Sequence, residues 1–275
     1  MIRRMTNTTN RNEAGLSESQ LMAIAPSVFA NEPWHKMSDR YAFIPTIDVV
    51  RKLQSEGFVP VSAIQGRTRT EGKGEYTRHQ IRFRDRRNDG LMTRQLGQVS
   101  AEILITNAHD GASAYKVEAA LFRLICLNGM VVSDGTIAPI NVRHTGDAGA
   151  VIDATYEVIE EMPKALGQVE AWQRLQLSAP QRAAYASAAL GLRYEENEAP
   201  IDAARLLQPA RSADSGDSLW QTFNVVQEHL TQGGDRGRST TGRRLRTRPV
   251  TGISENTRLN KALWQLTAKM QELAE

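Results

Sequence analysis

Cysteine is almost absent from this chain, which has a single one, Cys126, among 275 residues. One cysteine excludes an intrachain disulfide framework and any zinc site with several cysteine ligands. The sequence also lacks an apolar run of membrane-spanning length, and its polar start, Met1 to Asn12, lacks the apolar stretch of a signal peptide. These absences predict a cytoplasmic protein with no membrane partner.

The short motifs of the common enzyme classes are missing as well. The sequence has no phosphate-binding Gly-x-x-x-x-Gly-Lys-Ser/Thr loop, no dinucleotide fingerprint, no metalloprotease histidine pair and no Gly-x-Ser-x-Gly elbow. We therefore expect no cofactor, and a non-enzymatic function is favoured over an enzymatic one.

Positive charge is abundant, and it is gathered into two blocks. The whole chain has a formal charge of only +3. The segment from Arg67 to Arg87 has eight Lys and Arg against three acids, and the segment from Gly233 to Arg248 has six arginines against one acid. Each block therefore contributes about +5, which leaves about −7 for the remainder. Two concentrated basic patches on a mildly acidic protein favour a polyanionic partner, and nucleic acid above all.

The first block includes a strand whose arginines share one face. Residues 78–84 alternate strictly, so Ile81 and Phe83 point one way while the arginines point the other. Same-face neighbours lie about 6.6 Å apart, a spacing at which they could contact successive phosphates. An ordinary solvated sheet face is the alternative, as a solvated linker is for the second block. The predicted nucleic-acid-binding residues are Arg67, Arg69, Arg78, Arg82, Arg84, Arg236, Arg238, Arg243, Arg244, Arg246 and Arg248.

Hydrophobic periodicity predicts an α+β fold. Residues 1–15 are expected to form a disordered head, residues 16–146 a mixed α/β region with an antiparallel sheet, and residues 147–275 an all-helical region with an Arg/Gly-rich loop at 233–252. Within these regions the local signals predict capping boxes at Ser17 and Ser178, a helix over 46–56 with Thr46 as its N-cap, and a short buried helix within Leu121 to Val132.

Four residues suggest a second chemistry, a divalent metal site for phosphodiester hydrolysis. They are His109, Asp110, His144 and Asp147, with His79 as a further candidate, because imidazole and carboxylate groups suit such ions. The competing interpretation is stronger, since Asp110-Gly111 is typical of a hairpin turn and Asp147 of a helix cap. We therefore expect no metal. Four aromatic residues near the first block, Trp34, Tyr41, Phe43 and Tyr76, either stack on bases or belong to the core.

Several strings in the sequence match a known family. They are Arg40 to Thr46, Asn107 to Gly111, Leu121 to Val132, Val142 to Asp147, Leu192 to Glu195, and a closing run from Trp220 through Gly233-Gly234, Gly237-Arg238, Thr247-Arg248 and Thr251-Gly252-Ile253 to Trp264. The chain resembles the YafZ/YfjQ-like proteins, a family of unknown function carried by prophages, plasmids and integrative elements. The resemblance covers about residues 20–270. It implies a cytoplasmic protein of a mobile element, and no active-site residues come with it.

Together these observations predict a non-enzymatic protein that binds single-stranded DNA for protection, annealing or recombination. Two alternatives remain open. One is a metal-dependent nuclease that uses the histidine and aspartate set, and the other is an interaction protein that inhibits a host defence enzyme. The 4-3-4-3 stripe from Leu259 to Leu273 predicts a packing face within the fold, with a subunit contact in a homo-oligomer as the alternative.

Overall fold

The structure is a computed structural model that describes residues 15–38, 41–87, 99–123, 128–131, 139–142 and 148–275. Its residues group into two compact units. The described residues of Met1–Gly129 and Ile137–Pro163 form the first, and those of Met130–Thr136 and Lys164–Glu275 form the second.

An antiparallel sheet forms the centre of the first unit, and of its residues Met130 and Val131 are grouped with the second. Its strands are β1 (Phe58–Gln65), β2 (His79–Asp85), β3 (Val99–Asn107), β4 (Tyr115–Arg123), β5 (Asn128–Val131) and β6 (Ile140–Val142). Their spatial order is β1-β2-β3-β4-β5, and β6 also pairs with β4. Strands β1 to β4 run antiparallel to their neighbours, as their order along the chain favours.

Helices α1 (Glu18–Ile24) and α2 (Thr46–Ser55) pack with this sheet. The capping box at Ser17 is present, because its hydroxyl accepts from the Gln20 N–H and the Gln20 side chain accepts from the Ser17 N–H. Helix α2 buries Val49, Val50 and Leu53, which belong to the apolar face of an amphipathic helix.

Two local predictions for this unit are wrong. Leu121 to Arg123 end strand β4, and Asn128 to Val131 form β5, so the described part of the predicted helix over 121–132 is strand. A short apolar run fits either structure, and pairing with β3 decides it here. Thr46 is the first residue of α2 rather than its N-cap, which is Pro45.

The second unit is helical. Helix α3 (Gly149–Arg174) begins in the first unit and continues into the second, which also contains α4 (Ala179–Gly191), α5 (Leu219–Gln232) and α6 (Ile253–Ala274). Capping boxes open α4 at Ser178, as predicted, and α5 at Ser218. The α+β fold class is therefore confirmed, with an antiparallel sheet before the helices.

The core of the second unit is an aromatic cluster. Trp172 lies with its ring centroid 4.4 Å from that of Trp264 and 5.8 Å from that of Phe223, and Trp220 stacks on Phe223 at 5.6 Å. Such pairs contribute about 0.5–1.5 kcal/mol each beyond the area they bury. The stripe on α6 belongs to this core at its start, where Leu259 and Leu263 are fully buried, whereas Leu273 is 72% exposed.

Candidate functional site

The segment predicted as an Arg/Gly-rich loop contains a β-hairpin. Strands β7 (Arg236–Arg238) and β8 (Arg244–Arg246) pair antiparallel. Ser239 donates its N–H to the Arg243 carbonyl, and Gly242, at φ +80°, closes the three-residue connection. A turn followed by a left-handed residue is a common hairpin connection, and glycine adopts that conformation without steric cost. We call residues 234–248 the arginine hairpin.

The inner face of the arginine hairpin packs closely against the backbone of Pro200. Arg238 donates its backbone N–H to the Pro200 carbonyl at 2.9 Å. A Cβ on Gly237 would lie 2.0 Å from that same oxygen, so only glycine fits there. Leu245, the cross-strand partner of Gly237, is half-buried on the same face. The alternation of β-strands therefore turns the arginines of both strands outward.

The outward face carries four arginines in register. Arg236 lies opposite Arg246, and Arg238 lies opposite Arg244. Because Arg238 directs its N–H away from β8, its pair with Arg244 is of the closely spaced kind, with Cα atoms about 4.5 Å apart. All four are exposed, as are Arg243 just before β8 and Arg248 after it. Like charges directly opposite each other destabilise a hairpin.

No acidic group neutralises these arginines within the part of the chain that the structure describes. Among the described residues, the guanidinium groups of Arg238 and Arg246 donate to carbonyls of the hairpin itself, those of Gly242 and Gly234. Other arginines of the same unit are neutralised, since Arg174, Arg182, Arg205, Arg211 and Arg258 each form an ion pair with a carboxylate. The arginine hairpin is thus a region of concentrated and unbalanced positive charge.

The base of the hairpin is firmly anchored. Buried Asp235 forms an ion pair with Arg205 at 2.8 Å and lies 2.9 Å from His229 Nδ1, and Thr247 donates its N–H to the Asp235 carbonyl. Arg193 donates to the carbonyls of Leu230 and Arg248. The single acid of the hairpin, Asp235, is therefore paired at the base of the hairpin and does not balance the charge of the outward arginines.

The first basic block has a different environment. Glu102 on β3 is fully buried and pairs with Arg82 at 3.3 Å and Arg84 at 2.8 Å. The Arg82 guanidinium also lies 3.9 Å from the centroid of the Phe122 ring, and burial lowers its pKa. Arg78 donates to the Ala112 carbonyl. Arg82 and Arg84 are thus held by the sheet and Arg78 by the loop between β3 and β4, whereas Arg67 and Arg69 are exposed on the loop that follows β1.

The candidate metal ligands diverge where the structure describes them. His109 is fully buried, with its Nε2 atom 3.1 Å from Thr46 Oγ1. Asp110 instead pairs with Lys73 at 2.9 Å and accepts from the Ala112 N–H at 3.0 Å, the turn role expected of it. His144 and Asp147 lie outside the described residues. Among the residues that are described, no group of three or more His, Cys, Asp or Glu could hold a metal ion.

His79 and His109 belong to a buried polar cluster that sequence reasoning missed. The Thr46 hydroxyl lies 2.9 Å from His79 Nε2, 3.1 Å from His109 Nε2, and 3.0 Å from both Asn107 Nδ2 and the Tyr115 hydroxyl. Burial lowers the pKa of His79 to about 4. We call these five residues the Thr46 cluster. Its members come from α2, β2, β3, β4 and the segment after β3, so only the pairing of the sheet brings them together.

The aromatic candidates are held within the first unit. Trp34 is buried and lies with its ring centroid 5.2 Å from that of Tyr76. Phe43 packs on His109, with ring centroids 4.8 Å apart, and the Tyr41 hydroxyl donates to the Ala108 carbonyl. All four tryptophans of the chain are buried.

These features define an α+β protein whose helical unit presents a cationic β-hairpin. The family model described as Domain of unknown function (DUF932) matches residues 33–264, and the chain belongs to that family. It is 38% identical to the UPF0380 protein YafZ and 37% identical to the UPF0380 protein YfjQ, both of Escherichia coli strain K12. Each alignment covers 92% of this chain and 91% of the relative. The resemblance found in the sequence is thereby confirmed.

Two further comparisons concern the whole chain. No solved structure matches it. Within the described ranges, no helix combines the length and the apolar character that a membrane crossing requires.

Proposed function

We propose that this chain is a non-enzymatic nucleic-acid-binding protein and that the arginine hairpin is its principal contact with DNA. The observation that supports this proposal is the row of outward arginines with no acidic partner among the described residues. A folded chain tolerates such crowding of charge at a cost. A polyanion removes that cost, because each guanidinium can donate two parallel hydrogen bonds to a phosphate.

The predicted arginines differ in their exposure and in their partners. Arg236, Arg238, Arg243, Arg244, Arg246 and Arg248 are the main contacts, and exposed Arg67 and Arg69 are secondary ones. Arg82 and Arg84 already share Glu102, so phosphate would have to compete with a buried carboxylate for them. A cytoplasmic role in a mobile genetic element, in DNA protection, annealing or recombination, is part of the same proposal. Both single-stranded and duplex DNA offer the phosphates that the proposal requires.

A salt titration of DNA binding tests the proposal. The probe is a fluorescent 20-nucleotide DNA, single-stranded or duplex, and the readout is anisotropy. Each phosphate contact contributes a slope of about −0.7 for single strands and about −0.9 for duplexes in a plot of log affinity against log salt. Replacing Arg243, Arg244 and Arg246 together with alanine should therefore weaken binding and flatten the slope, by about 0.7–0.9 for each of the three that contacts a phosphate.

A matched variant controls for net charge. Arg174, Arg258 and Lys269 lie in the same unit, and each is paired with a glutamate on its own helix. Replacing these three with alanine changes the net charge by the same amount but leaves the arginine hairpin intact. We expect nearly unchanged binding from this control. Equal binding by both triple variants would remove the hairpin from the function, and no binding by the unaltered protein would refute the proposal.

A further inference from the structure

The shape of the arginine hairpin carries information about the form of DNA that it binds. It is a two-stranded ribbon with one face against Pro200 and the other face free. Its three-residue connection, Thr240 to Gly242, consists of small and exposed residues. Neighbouring strands lie about 4.8 Å apart, so the ribbon is narrow and its tip is not bulky.

The grooves of DNA and RNA differ in whether they can admit a two-stranded ribbon. The major groove of B-form DNA, about 12 Å wide and 8.5 Å deep, admits a two-stranded β-ribbon. Proteins that use the minor groove, about 6 Å wide, frequently insert apolar side chains between base steps and bend the DNA, and the tip of the arginine hairpin, Ser239 to Gly242, has no such side chain. The major groove of duplex RNA is deep and narrow, and side chains do not read it. The geometry therefore favours duplex DNA over duplex RNA.

The residue types of the hairpin separate duplex DNA from single strands. Proteins that hold single strands combine basic grooves with aromatic side chains on which bases stack. The segment from Gly234 to Arg248 contains no aromatic residue, and the four tryptophans are buried elsewhere. Four arginine forks are present instead, and arginine donating to the O6 and N7 atoms of guanine is the commonest specific contact in the major groove.

We infer that the arginine hairpin enters the major groove of duplex DNA with its outward face toward the bases, where Arg236, Arg238, Arg244 and Arg246 contact guanine edges. This inference rests on the proposed function and names its substrate. In this arrangement Arg243 and Arg248, beyond the two ends of β8, contact phosphates on either side of the groove. The preference for single-stranded DNA predicted from sequence is the competing outcome.

The test compares four probes of one G·C-rich sequence with the full-length protein by anisotropy. They are the DNA duplex, its single strand, the RNA duplex, and a DNA duplex in which 7-deazaguanine replaces guanine. The last probe pairs normally but lacks the N7 acceptor in the major groove. We expect the tightest binding to the DNA duplex, and binding at least about fivefold weaker to the 7-deazaguanine duplex, since each bidentate pair discriminates by at least that factor.

A charge-conserving variant provides a second readout. Lysine at positions 236, 238, 244 and 246 keeps the charge but loses the rigid fork, so we expect a similar salt slope with less sensitivity to 7-deazaguanine. Lysine in place of Arg174 and Arg258 is the matched control and should leave that sensitivity unchanged. Equal affinity for the normal and 7-deazaguanine duplexes, or tighter binding to the single strand, would overturn the groove inference while the proposed function stands. Failure to bind any probe would refute both.

Discussion

Gly237 offers the sharpest test of how the arginine hairpin is held, because the change adds one methyl group and no charge. In Gly237→Ala the new Cβ would lie 2.0 Å from the Pro200 oxygen, 2.8 Å from the Pro200 carbonyl carbon and 3.1 Å from Ile201 Cγ2. The nearest obstacles are backbone atoms, so no side-chain rotation relieves the clash. The hairpin must move away from Pro200 by about 1 Å or more to restore ordinary contact distances.

The expected cost follows from two contributions. Overpacking at a fixed site typically costs about 1–3 kcal/mol. The movement also breaks the 2.9 Å hydrogen bond from the Arg238 N–H to the Pro200 carbonyl, which is a further ~0.5–1.5 kcal/mol. We therefore expect Gly237→Ala to destabilise the second unit by about 2–4 kcal/mol. DNA binding should weaken as well, although all six arginines remain.

Urea unfolding followed by tryptophan fluorescence measures this effect, since Trp172, Trp220 and Trp264 lie in the core of the same unit. Gly167→Ala is the matched control. Gly167 is an exposed helical glycine of α3 with no atom within 4 Å of an added Cβ, so the same methyl group should stabilise the unit by up to about 1 kcal/mol. Limited trypsin digestion should cut between Arg236 and Arg248 faster in Gly237→Ala than in the wild-type protein, and no faster in Gly167→Ala. Wild-type stability and an unchanged rate of cleavage in that variant would refute the docking described here.

Three further predictions concern the first unit, and urea unfolding measures each. Glu102→Gln should cost about 3 kcal/mol, because it leaves the largely buried Arg82 without its carboxylate; full stability would show that the pair is dispensable. Thr46→Val should cost about 2–4 kcal/mol by leaving several buried polar groups unsatisfied, and Thr46→Ser, which keeps the hydroxyl, should cost less. Burial lowers the pKa of His79 from 6.5 to about 4, so below pH 6.5 the unfolded chain takes up a proton that the folded chain excludes. Stability should therefore fall as the pH drops from about 6.5 to about 4, and His79→Gln should flatten that fall, whereas an equally steep fall in the variant would assign the effect to another group.

Local signals in the sequence predicted the elements that local chemistry determines. The capping boxes at Ser17 and Ser178 were found because three-residue spacing is sufficient to form them. The strand through Ile81 and Phe83 was found because alternation reports one buried face. The helix predicted within Leu121 to Val132 was wrong in its described part. An apolar run with no period is compatible with both a helix and a strand, and the neighbouring strands decide between them.

The candidate interface was predicted in composition but not in shape. The arginines of 236–248 were evident, yet a segment rich in glycine suggests an open loop. Its hairpin had a weak signal, the alternation of Arg244, Leu245 and Arg246 just after Gly242. The sequence did not show that Arg82 and Arg84 pair with a buried carboxylate, because Glu102 becomes their partner only through the register of β2 with β3.

The Thr46 cluster has a consequence for how this family can diverge. One hydroxyl has a single proton to donate and two lone pairs, so it cannot satisfy four neighbours fully and independently. A replacement at any one position changes which proton arrangement suits the others. We therefore expect positions 46, 79, 107, 109 and 115 to vary together among relatives or not at all, so that a homologue lacking the hydroxyl also lacks one or both histidines.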